Sequence, residues 1–259
     1  MGYVVAVVGA TGAVGREMLR TLEARDFPVD KIIALASAKS AGTKLSFKGE
    51  DIEVQELGPD SFVGVQVALF SAGGEVAKKF APLAAKAGAV VIDNSSAFRM
   101  DPEVPLVVPE VNMEAANTRP KNIIANPNCS TIQMLVALKP LHDAARIKHI
   151  VVSTYQATSG KGNAAVDDLV SQAKAHLAGE KIMLSVFPGQ IAFNVLSDWK
   201  AGDADYSEEE WKMVNETRKI LGDPTIGVSP TTVRVPVVTA HSEAIHVQFH
   251  TPMTAARAK

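Results

Sequence analysis

A single cysteine, Cys129, is the residue around which the chemistry of this sequence can be organised. The apolar segment 123–125 has the character of a buried strand end, the turn residues Asn126-Pro127-Asn128 follow, and helical apolar spacing begins at Ser130. This pattern predicts Cys129 at a helix N-terminus, where unpaired N–H groups and the helix dipole favour a thiolate and lower the pKa of the thiol. We interpret Cys129 as a catalytic nucleophile; the alternative is a small, inert core side chain.

A glycine-rich loop near the N-terminus carries the second chemical signal. Residues 3–8 are β-branched and apolar, as in a buried parallel strand, and lead directly into Gly9-Ala10-Thr11-Gly12-Ala13-Val14-Gly15. Helical spacing follows, so the backbone at this strand-to-helix turn can approach a pyrophosphate. We predict dinucleotide binding rather than a merely tight turn, although G-x-x-G-x-x-G departs from the G-x-G-x-x-G fingerprint.

The end of the second predicted strand bears on which dinucleotide is bound. Strand 31–36 leads into Ser37-Ala38-Lys39-Ser40, and no Asp or Glu stands there to bond the ribose 2′-hydroxyl of NAD. Hydroxyl groups and a cation suit a 2′-phosphate, so we predict NADP as the cofactor. The alternative interpretation is a solvated loop lysine.

The segments that must hold these residues alternate between strand and helix in the first half of the chain. Further strands are predicted at 65–70 and 90–93, with a helix through Ala87 between them. Repeated strand–helix units with short loops predict an α/β protein with a doubly wound, mostly parallel sheet. We assign residues 1–127 to a dinucleotide-binding domain and residues 128–259 to a catalytic domain.

The second half has a different pattern. Strands predicted at 150–155, 232–237 and 243–249 would form a second sheet, mixed or antiparallel. Helices are predicted at 163–177 and 203–220, and the acid-rich start of the second suits the positive end of its dipole.

Composition excludes several classes of function. The 259 residues carry a formal charge of -2, with no basic face for nucleic acid and no apolar run long enough to cross a bilayer. One cysteine cannot form a disulfide framework, so we expect a cytoplasmic protein. We expect no metal, nucleic-acid or membrane partner.

A series of motifs then occurs in order along the chain: Gly9–Gly15, Asn94–Arg99, Val107–Asn112, Asn126–Thr131, Tyr155–Gly160, Glu209–Ile220, Arg234–Val237 and His241–Glu243. With them the chain resembles aspartate-β-semialdehyde dehydrogenase nearly from end to end. The resemblance implies an NADP-dependent, phosphorylating oxidoreductase of lysine (diaminopimelate), threonine and methionine biosynthesis. It also implies a Rossmann-like domain, a glyceraldehyde-3-phosphate-dehydrogenase-like α+β substrate and dimerisation domain, and a homodimer or homotetramer.

The resemblance implies roles for individual residues. Cys129 would be the acyl-thioester nucleophile, His241 the general acid/base and Gln156 the amide that orients the reacting carbonyl. The chemistry itself needs such a set, because sulfur addition to a carbonyl requires a thiolate, a proton carrier and a fixed hydrogen-bond donor. Alone, His241 could equally be an ordinary strand-end histidine.

Substrate and cofactor residues follow from the same resemblance. The substrate-binding residues would be Arg99 and Lys212 for phosphate, Arg234 for the carboxylate, Glu209 for the amino group, and Gln156. The alternative for each isolated cation is a solvated surface charge. The expected cofactor-binding residues are Gly9, Thr11, Gly12, Ala13, Val14, Gly15, Ser37, Lys39, Ser40, Gly73, Ser159 and Gly160.

The implied reaction is the NADPH-dependent reductive dephosphorylation of L-4-aspartyl phosphate to L-aspartate-4-semialdehyde through a thioester on Cys129. Two alternatives remain open. One is a weakly active or non-catalytic dinucleotide-binding remnant of the family. The other is N-acetyl-γ-glutamyl-phosphate reductase, which shares the chemistry but usually has a Gly-Cys-Tyr-Pro pattern that this sequence lacks.

Two departures from the family pattern affect these expectations. Ala240 stands where the family usually has glycine before its catalytic histidine, which would strain the turn if a positive φ is needed. The sequence stops at Lys259, whereas family members continue through further strands and a helix that helps hold the nicotinamide. From this we expect a C-terminally shortened chain that is less stable, self-associates and turns over weakly.

Overall fold

The computed structural model describes residues 2–197, 199–203 and 205–259. The chain divides into two compact units, Met1–Pro127 and Asn128–Lys259. In the described ranges, no helix combines the length and the apolar character needed to cross a membrane.

A parallel sheet forms the centre of the first unit. Its strands are β1 (Tyr3–Val8), β2 (Val29–Ala36), β5 (Gln55–Glu56), β6 (Val67–Phe70), β7 (Val90–Asp93) and β8 (Ile123–Ala125), and a separate hairpin consists of β3 (Lys44–Phe47) and β4 (Glu50–Glu53). The sheet order is β5-β2-β1-β6-β7-β8, with all neighbours parallel. This is the doubly wound order of a Rossmann-like domain, and it confirms the predicted sheet.

Helices cover this sheet; the two long ones follow the glycine loop and the third β-strand of the parallel run as the sequence predicted, whereas the short α3 was not predicted. They are α1 (Ala13–Ala24), α2 (Gly74–Lys86) and α3 (Pro109–Asn112), with short 3-10 turns at Ala38–Ser40 and Met113–Asn117. Four consecutive residues of β1, Val5 to Val8, are completely buried. A strand covered on both faces explains why β1 reads as a continuous apolar run and was predicted with correct ends.

The second unit has a three-stranded sheet. Its strands are β9 (Ile147–Gln156), β10 (Gly227–Arg234) and β11 (Ser242–Phe249), and its helices are α4 (Cys129–Ala145), α5 (Asn163–Ala178), α6 (Glu208–Leu221) and α7 (Ala255–Ala258). A 3-10 turn, Thr158–Lys161, follows β9. Central β9 pairs in parallel with β10 and antiparallel with β11, so the predicted mixed sheet is confirmed.

Some predicted boundaries were wrong for identifiable reasons. The strand predicted at 232–237 begins at Gly227 and ends at Arg234. It contains Pro230, which an edge strand tolerates, and Pro236 cannot donate a hydrogen bond to continue it. The helix predicted from Asp203 begins at Glu208, because Ser207 and Glu210 form a reciprocal capping box there.

Candidate active site

Cys129 is the first residue of α4, and it is exposed. The preceding Asn128 caps the helix: its Oδ1 accepts hydrogen bonds from the N–H groups of Ser130 at 3.0 Å and Thr131 at 3.3 Å. The predicted position at a helix N-terminus is therefore confirmed. The exposure of the thiol excludes the alternative of a buried core side chain.

Two buried carboxylates of α6 hold the turn before the cysteine. Asn128 donates through Nδ2 to Glu209 Oε1 at 2.7 Å, and its backbone N–H donates to Glu216 Oε2 at 2.6 Å. Glu209 and Glu216 lie seven residues apart, on one face of the helix. Neither the cap at Asn128 nor the role of Glu216 was predicted, although the seven-residue spacing of Glu216 from Glu209 places both carboxylates on one helix face.

Glu209 is the centre of this network and is only 4% exposed. Its Oε1 also accepts from Gln156 Nε2 at 3.4 Å, and its Oε2 lies 2.9 Å from Lys212 Nζ. Burial alone would raise the pKa of Glu209, but Lys212 and the amide donors outweigh burial, so the pKa is lowered. Glu209 is therefore an anion that orients the amide of Gln156.

Gln156 and Arg234 are the last residues of adjacent strands and pair in register. Both are 1% exposed. Gln156 Nε2 also lies 3.3 Å from Thr154 Oγ1. Arg234 donates from Nη1 to the carbonyl of Ala157 at 2.8 Å, and its guanidinium carbon lies 4.3 Å from the ring centre of Trp199. A stacked, anchored guanidinium of this kind presents a fixed fork to a carboxylate.

His241 immediately precedes β11 and is partly buried. Its Nδ1 accepts a hydrogen bond from the N–H of Ala157 at 3.0 Å, so the neutral ring carries its proton on Nε2. Burial lowers the pKa of His241, the backbone at Ala240 opposes this, Arg234 lowers it further, and Glu209 raises it; the net direction is down. The ring is thus neutral near pH 7 and offers Nε2–H as a donor.

Two backbone positions support this histidine. A Cβ on Gly160 would lie 3.1 Å from Arg234 Nη1 and 3.3 Å from His241 Nε2, so the absence of a side chain lets the 3-10 turn pack against both residues. Ser159, in the same turn, donates its N–H to Val238 O at 3.1 Å. Ala240 has a φ of 72°, in the left-handed region that favours glycine, so the strain expected from the sequence is present.

The glycine loop of the first unit is shaped by its backbone. Gly9 has a φ of 83°, and a Cβ on Gly15 would overlap the carbonyl oxygen of Gly9. A Cβ on Gly12 would lie 3.3 Å from the same oxygen. Ala13, Val14 and Gly15 form the first turn of α1, whose N-terminus faces the loop. The residues present therefore fit a pyrophosphate at a helix N-terminus, as the sequence predicted.

Beside this loop lies a cavity of about 600 Å³. Its lining includes Gly9, Thr11, Gly12, Ser37 and Glu56. Lys39 and Ser40 follow in the 3-10 turn and are not among the lining residues, and Gly73 precedes α2 with a φ of 87°. Glu56 was not predicted as a site residue, because it pairs with Ala36 at the tip of β2 through a strand of only two residues, which is too short to show a periodic pattern.

Arg99 is anchored to backbone in the first unit. It is 8% exposed, and it donates from Nε to Asn126 O at 2.9 Å and from Nη2 to Asn94 O at 3.1 Å. The preceding loop is held by Asp93, which accepts hydrogen bonds from the N–H and hydroxyl of Ser95. Burial raises the pKa of Asp93, and the bonds from Ser95 and the nearby Arg99 oppose that rise. The guanidinium is thus fixed in orientation.

Both units match known families. Residues 4–119 match "Semialdehyde dehydrogenase, NAD binding domain", and residues 138–259 match "Semialdehyde dehydrogenase, dimerisation domain". Aspartate-semialdehyde dehydrogenase of Aquifex aeolicus (strain VF5) is 56% identical over 252 residues, which are 96% of this chain and 74% of the relative. The Bacillus subtilis (strain 168) enzyme is 53% identical over 256 residues, with coverage of 96% and 74%.

Solved structures agree with these matches. The crystal structure of aspartate semialdehyde dehydrogenase II complexed with ASA from Vibrio cholerae has a TM-score of 0.98 at 51% identity, covering 100% of this chain and 77% of that one. The enzyme with NADP from Candida albicans has a TM-score of 0.74 at 26% identity, with coverage of 98% and 73%.

Proposed function

The chain belongs to the aspartate-semialdehyde dehydrogenase family, and we propose that it catalyses the NADPH-dependent reductive dephosphorylation of L-4-aspartyl phosphate to L-aspartate-4-semialdehyde. One observation carries the proposal. An exposed thiol begins a capped helix, and the cap is hydrogen-bonded to the same buried carboxylate that orients Gln156. A nucleophile and a carbonyl-directed amide are thereby held in one network.

In the proposed reaction, the Cys129 thiolate attacks the acyl phosphate carbonyl, the bond to phosphate breaks, and a thioester remains on the sulfur. The helix N-terminus and the Gln156 amide stabilise the negative oxygen that forms during addition. Bound NADPH would supply the hydride that reduces this thioester. His241 donates its Nε2 proton to the oxygen of the resulting hemithioacetal and takes a proton back from that hydroxyl as the C–S bond breaks, so that the aldehyde leaves and the Cys129 thiolate is restored.

Substrate selection is proposed to rest on fixed charges. Arg234 would receive the α-carboxylate through its planar fork, and the anionic Glu209 would attract the α-ammonium group. An N-acetylated substrate has no ammonium group, which favours the aspartyl substrate over the N-acetylglutamyl one. Arg99 and Lys212 are the proposed phosphate-binding cations.

We propose NADP rather than NAD, with contacts from Gly9 to Gly15, Ser37, Lys39, Ser40, Gly73, Ser159 and Gly160. The cationic Lys39 and neighbouring hydroxyls support this, whereas Glu56 in the cavity lining opposes it. We also propose that the protein acts as a homodimer or homotetramer in the cytoplasm, where an exposed catalytic thiol stays reduced.

The test is phosphate-dependent reduction of NADP by aspartate semialdehyde, run beside the N-acetylglutamate semialdehyde analogue. We expect turnover with the first substrate, dependence on added phosphate, and little turnover with the analogue. Equal rates with both, or a rate that ignores phosphate, would contradict the proposal.

A further inference from the structure

A hydrogen bond joins the strand that follows His241 to the helix that begins at Cys129. Glu243 lies on β11, two residues after His241, and Gln133 lies on α4, one turn after Cys129. Gln133 Nε2 donates to Glu243 Oε1 at 2.7 Å. Neither residue takes part in the reaction described above.

The surroundings of Glu243 are unusual for a carboxyl group. Its Oε2 is buried and has no hydrogen-bond partner among the described residues. The facing groups are Gln133 and Ser130 from α4 and the buried Thr154 from β9, and none of them is charged. Burial raises the pKa of Glu243 to about 7, and Gln133 and Ser130 partly oppose that rise.

A purely stabilising role does not explain such a group. Because its pKa is higher in the folded state than in the unfolded state, its contribution to stability is full below the unfolded value and is lost as the pH rises toward 7. As the pH rises toward 7, ionisation of this carboxyl therefore lowers the free energy of unfolding. Its place two residues after His241, bonded to the helix that begins at Cys129, accounts for it better.

We propose that Glu243 is a positioning residue for the reaction proposed above: through Gln133 it fixes the His241 end of β11 against the Cys129 end of α4. The bond from Ala157 already orients the ring of His241 relative to β9. The Glu243–Gln133 bond adds the second constraint, because it ties β11 to α4. Together they determine where Nε2–H lies relative to the sulfur.

The neutral carboxyl is the form suited to this role. It accepts from Gln133 without placing a negative charge near the Cys129 thiolate, whereas the ionised form repels that thiolate. Activity should therefore decline on the alkaline side of pH 7 as Glu243 ionises. Removing the ionisable group while keeping the acceptor oxygen should remove that decline.

The experiment uses the whole chain with Glu243→Gln, Glu243→Ala and Gln133→Leu, and with Glu180→Gln as the matched control at an exposed position. We expect Glu243→Ala and Gln133→Leu each to lower kcat about tenfold while KM for the semialdehyde and for NADP stays within about twofold. The conservative Glu243→Gln should restore kcat to within about threefold of the wild type and flatten the alkaline limb of the pH profile. Glu180→Gln should change neither.

Gln133 is exposed on its helix, so Gln133→Leu tests the bond even if the strand variant fails to fold. The double variant Glu243→Ala/Gln133→Leu should be no slower than either single variant, because one interaction is removed once. Independent, additive losses would overturn the proposal. A kcat for Glu243→Ala within about twofold of wild type, with an unchanged pH profile, would also overturn it.

A second readout separates this inference from the proposed function. Since the chain has one cysteine, iodoacetamide labelling reports on Cys129 alone. At pH 6, where the carboxyl is neutral, Glu243→Ala and Gln133→Leu should label about threefold more slowly, because a displaced His241 stabilises the thiolate less. An inactive wild type would reject the reaction and leave this comparison in place, and equal labelling rates would then reject the positioning role.

Discussion

In the first unit the nucleotide-facing surface is formed by backbone, whereas in the second unit the proposed chemistry rests on buried side chains. Gly9 and Gly15 matter through a positive φ and a missing Cβ. The second site depends instead on the charges and hydrogen bonds of side chains that are almost fully buried, namely Gln156, Glu209 and Arg234. Added atoms should therefore damage the first site, whereas the removal of functional groups should damage the second.

The largest effect should come from removing the sulfur. We expect Cys129→Ala to lower turnover at least about ten-thousandfold, because no other group can form the thioester. The dissociation constant for NADP should barely change, since the glycine loop belongs to the other unit. Cys129→Ser should retain a trace of activity. Steady-state rates measure the loss of turnover, and a fluorescence titration measures the dissociation constant for NADP. Near-full semialdehyde oxidation by the alanine variant would show that Cys129 is not the nucleophile.

The reverse experiment adds one methyl group to the first unit. Gly15→Ala should destabilise the fold by about 1–3 kcal/mol and weaken NADP binding, because the new Cβ overlaps Gly9 O. Thermal unfolding and an NADP titration should both show the loss, whereas the iodoacetamide labelling rate of Cys129, in the other unit, should not change. Gly74→Ala is the control, since nothing lies within 4 Å of its Cβ. Equal stability and equal NADP affinity of the two variants would mean that the close contact between Gly15 and Gly9 O is not needed to form the loop.

A charge reversal in the first unit tests whether side chains contribute there at all. Lys39→Glu should weaken NADP binding about tenfold to a hundredfold through repulsion of the 2′-phosphate and leave NAD binding unchanged. Lys31→Glu, on the same strand-loop segment, should have little effect on either. Equal losses for NADP and NAD would show that Lys39 recognises another part of the cofactor.

A smaller effect is expected from relieving backbone strain in the second unit. Ala240→Gly should stabilise the chain by about 1 kcal/mol, because glycine adopts a φ of 72° without the penalty that a Cβ imposes. Ala244→Gly on β11 is the matched control and should destabilise the strand. A lower melting temperature for Ala240→Gly would contradict the claim that the positive φ at Ala240 destabilises the chain.

The smallest predicted effect concerns Glu56, the carboxylate in the lining of the cavity beside the glycine loop. Glu56→Gln should strengthen NADP binding by about twofold to threefold, because an exposed charge near the cofactor is largely screened by water. NAD binding should change in the opposite direction or remain the same. Titrations of the wild type and Glu56→Gln with NADP and with NAD at low salt would measure these changes in affinity. A weaker affinity for NADP would mean that Glu56 makes a favourable contact with the cofactor.

The parts of the fold that were predictable are those with a strong local signal. The buried run of β1 and the turn before Cys129 gave correct ends. The hairpin of β3 and β4 is short and largely polar, so periodicity did not mark it. The true start of α6 is marked in the sequence by the capping-box pattern Ser207-x-x-Glu210, but the prediction did not use it and began the helix at Asp203.

The candidate site shows the same division. The turn before Cys129 and the helix after it are adjacent to it in sequence, so the sequence alone was enough to place Cys129 at a helix N-terminus. The bonds from Asn128 to Glu209 and Glu216 join residues about eighty positions apart and exist only after α6 packs beside α4. The pairing of Glu56 with the tip of β2 likewise depends on sheet closure. Residue types predict such partners only through family resemblance.

The parallel pairing of β9 with β10 has a consequence for how the chain folds. Gln156 pairs with Arg234 across the whole of α5 and α6, so this pairing closes a long loop and carries a large entropic cost before any contact repays it. In the first unit the most distant pairing within the sheet, β1 with β6, joins residues 62 positions apart, against 78 for β9 with β10. During refolding, we therefore expect nucleotide binding to appear before thioester chemistry, because the guanidinium proposed to hold the substrate lies on a strand whose pairing closes the longer loop.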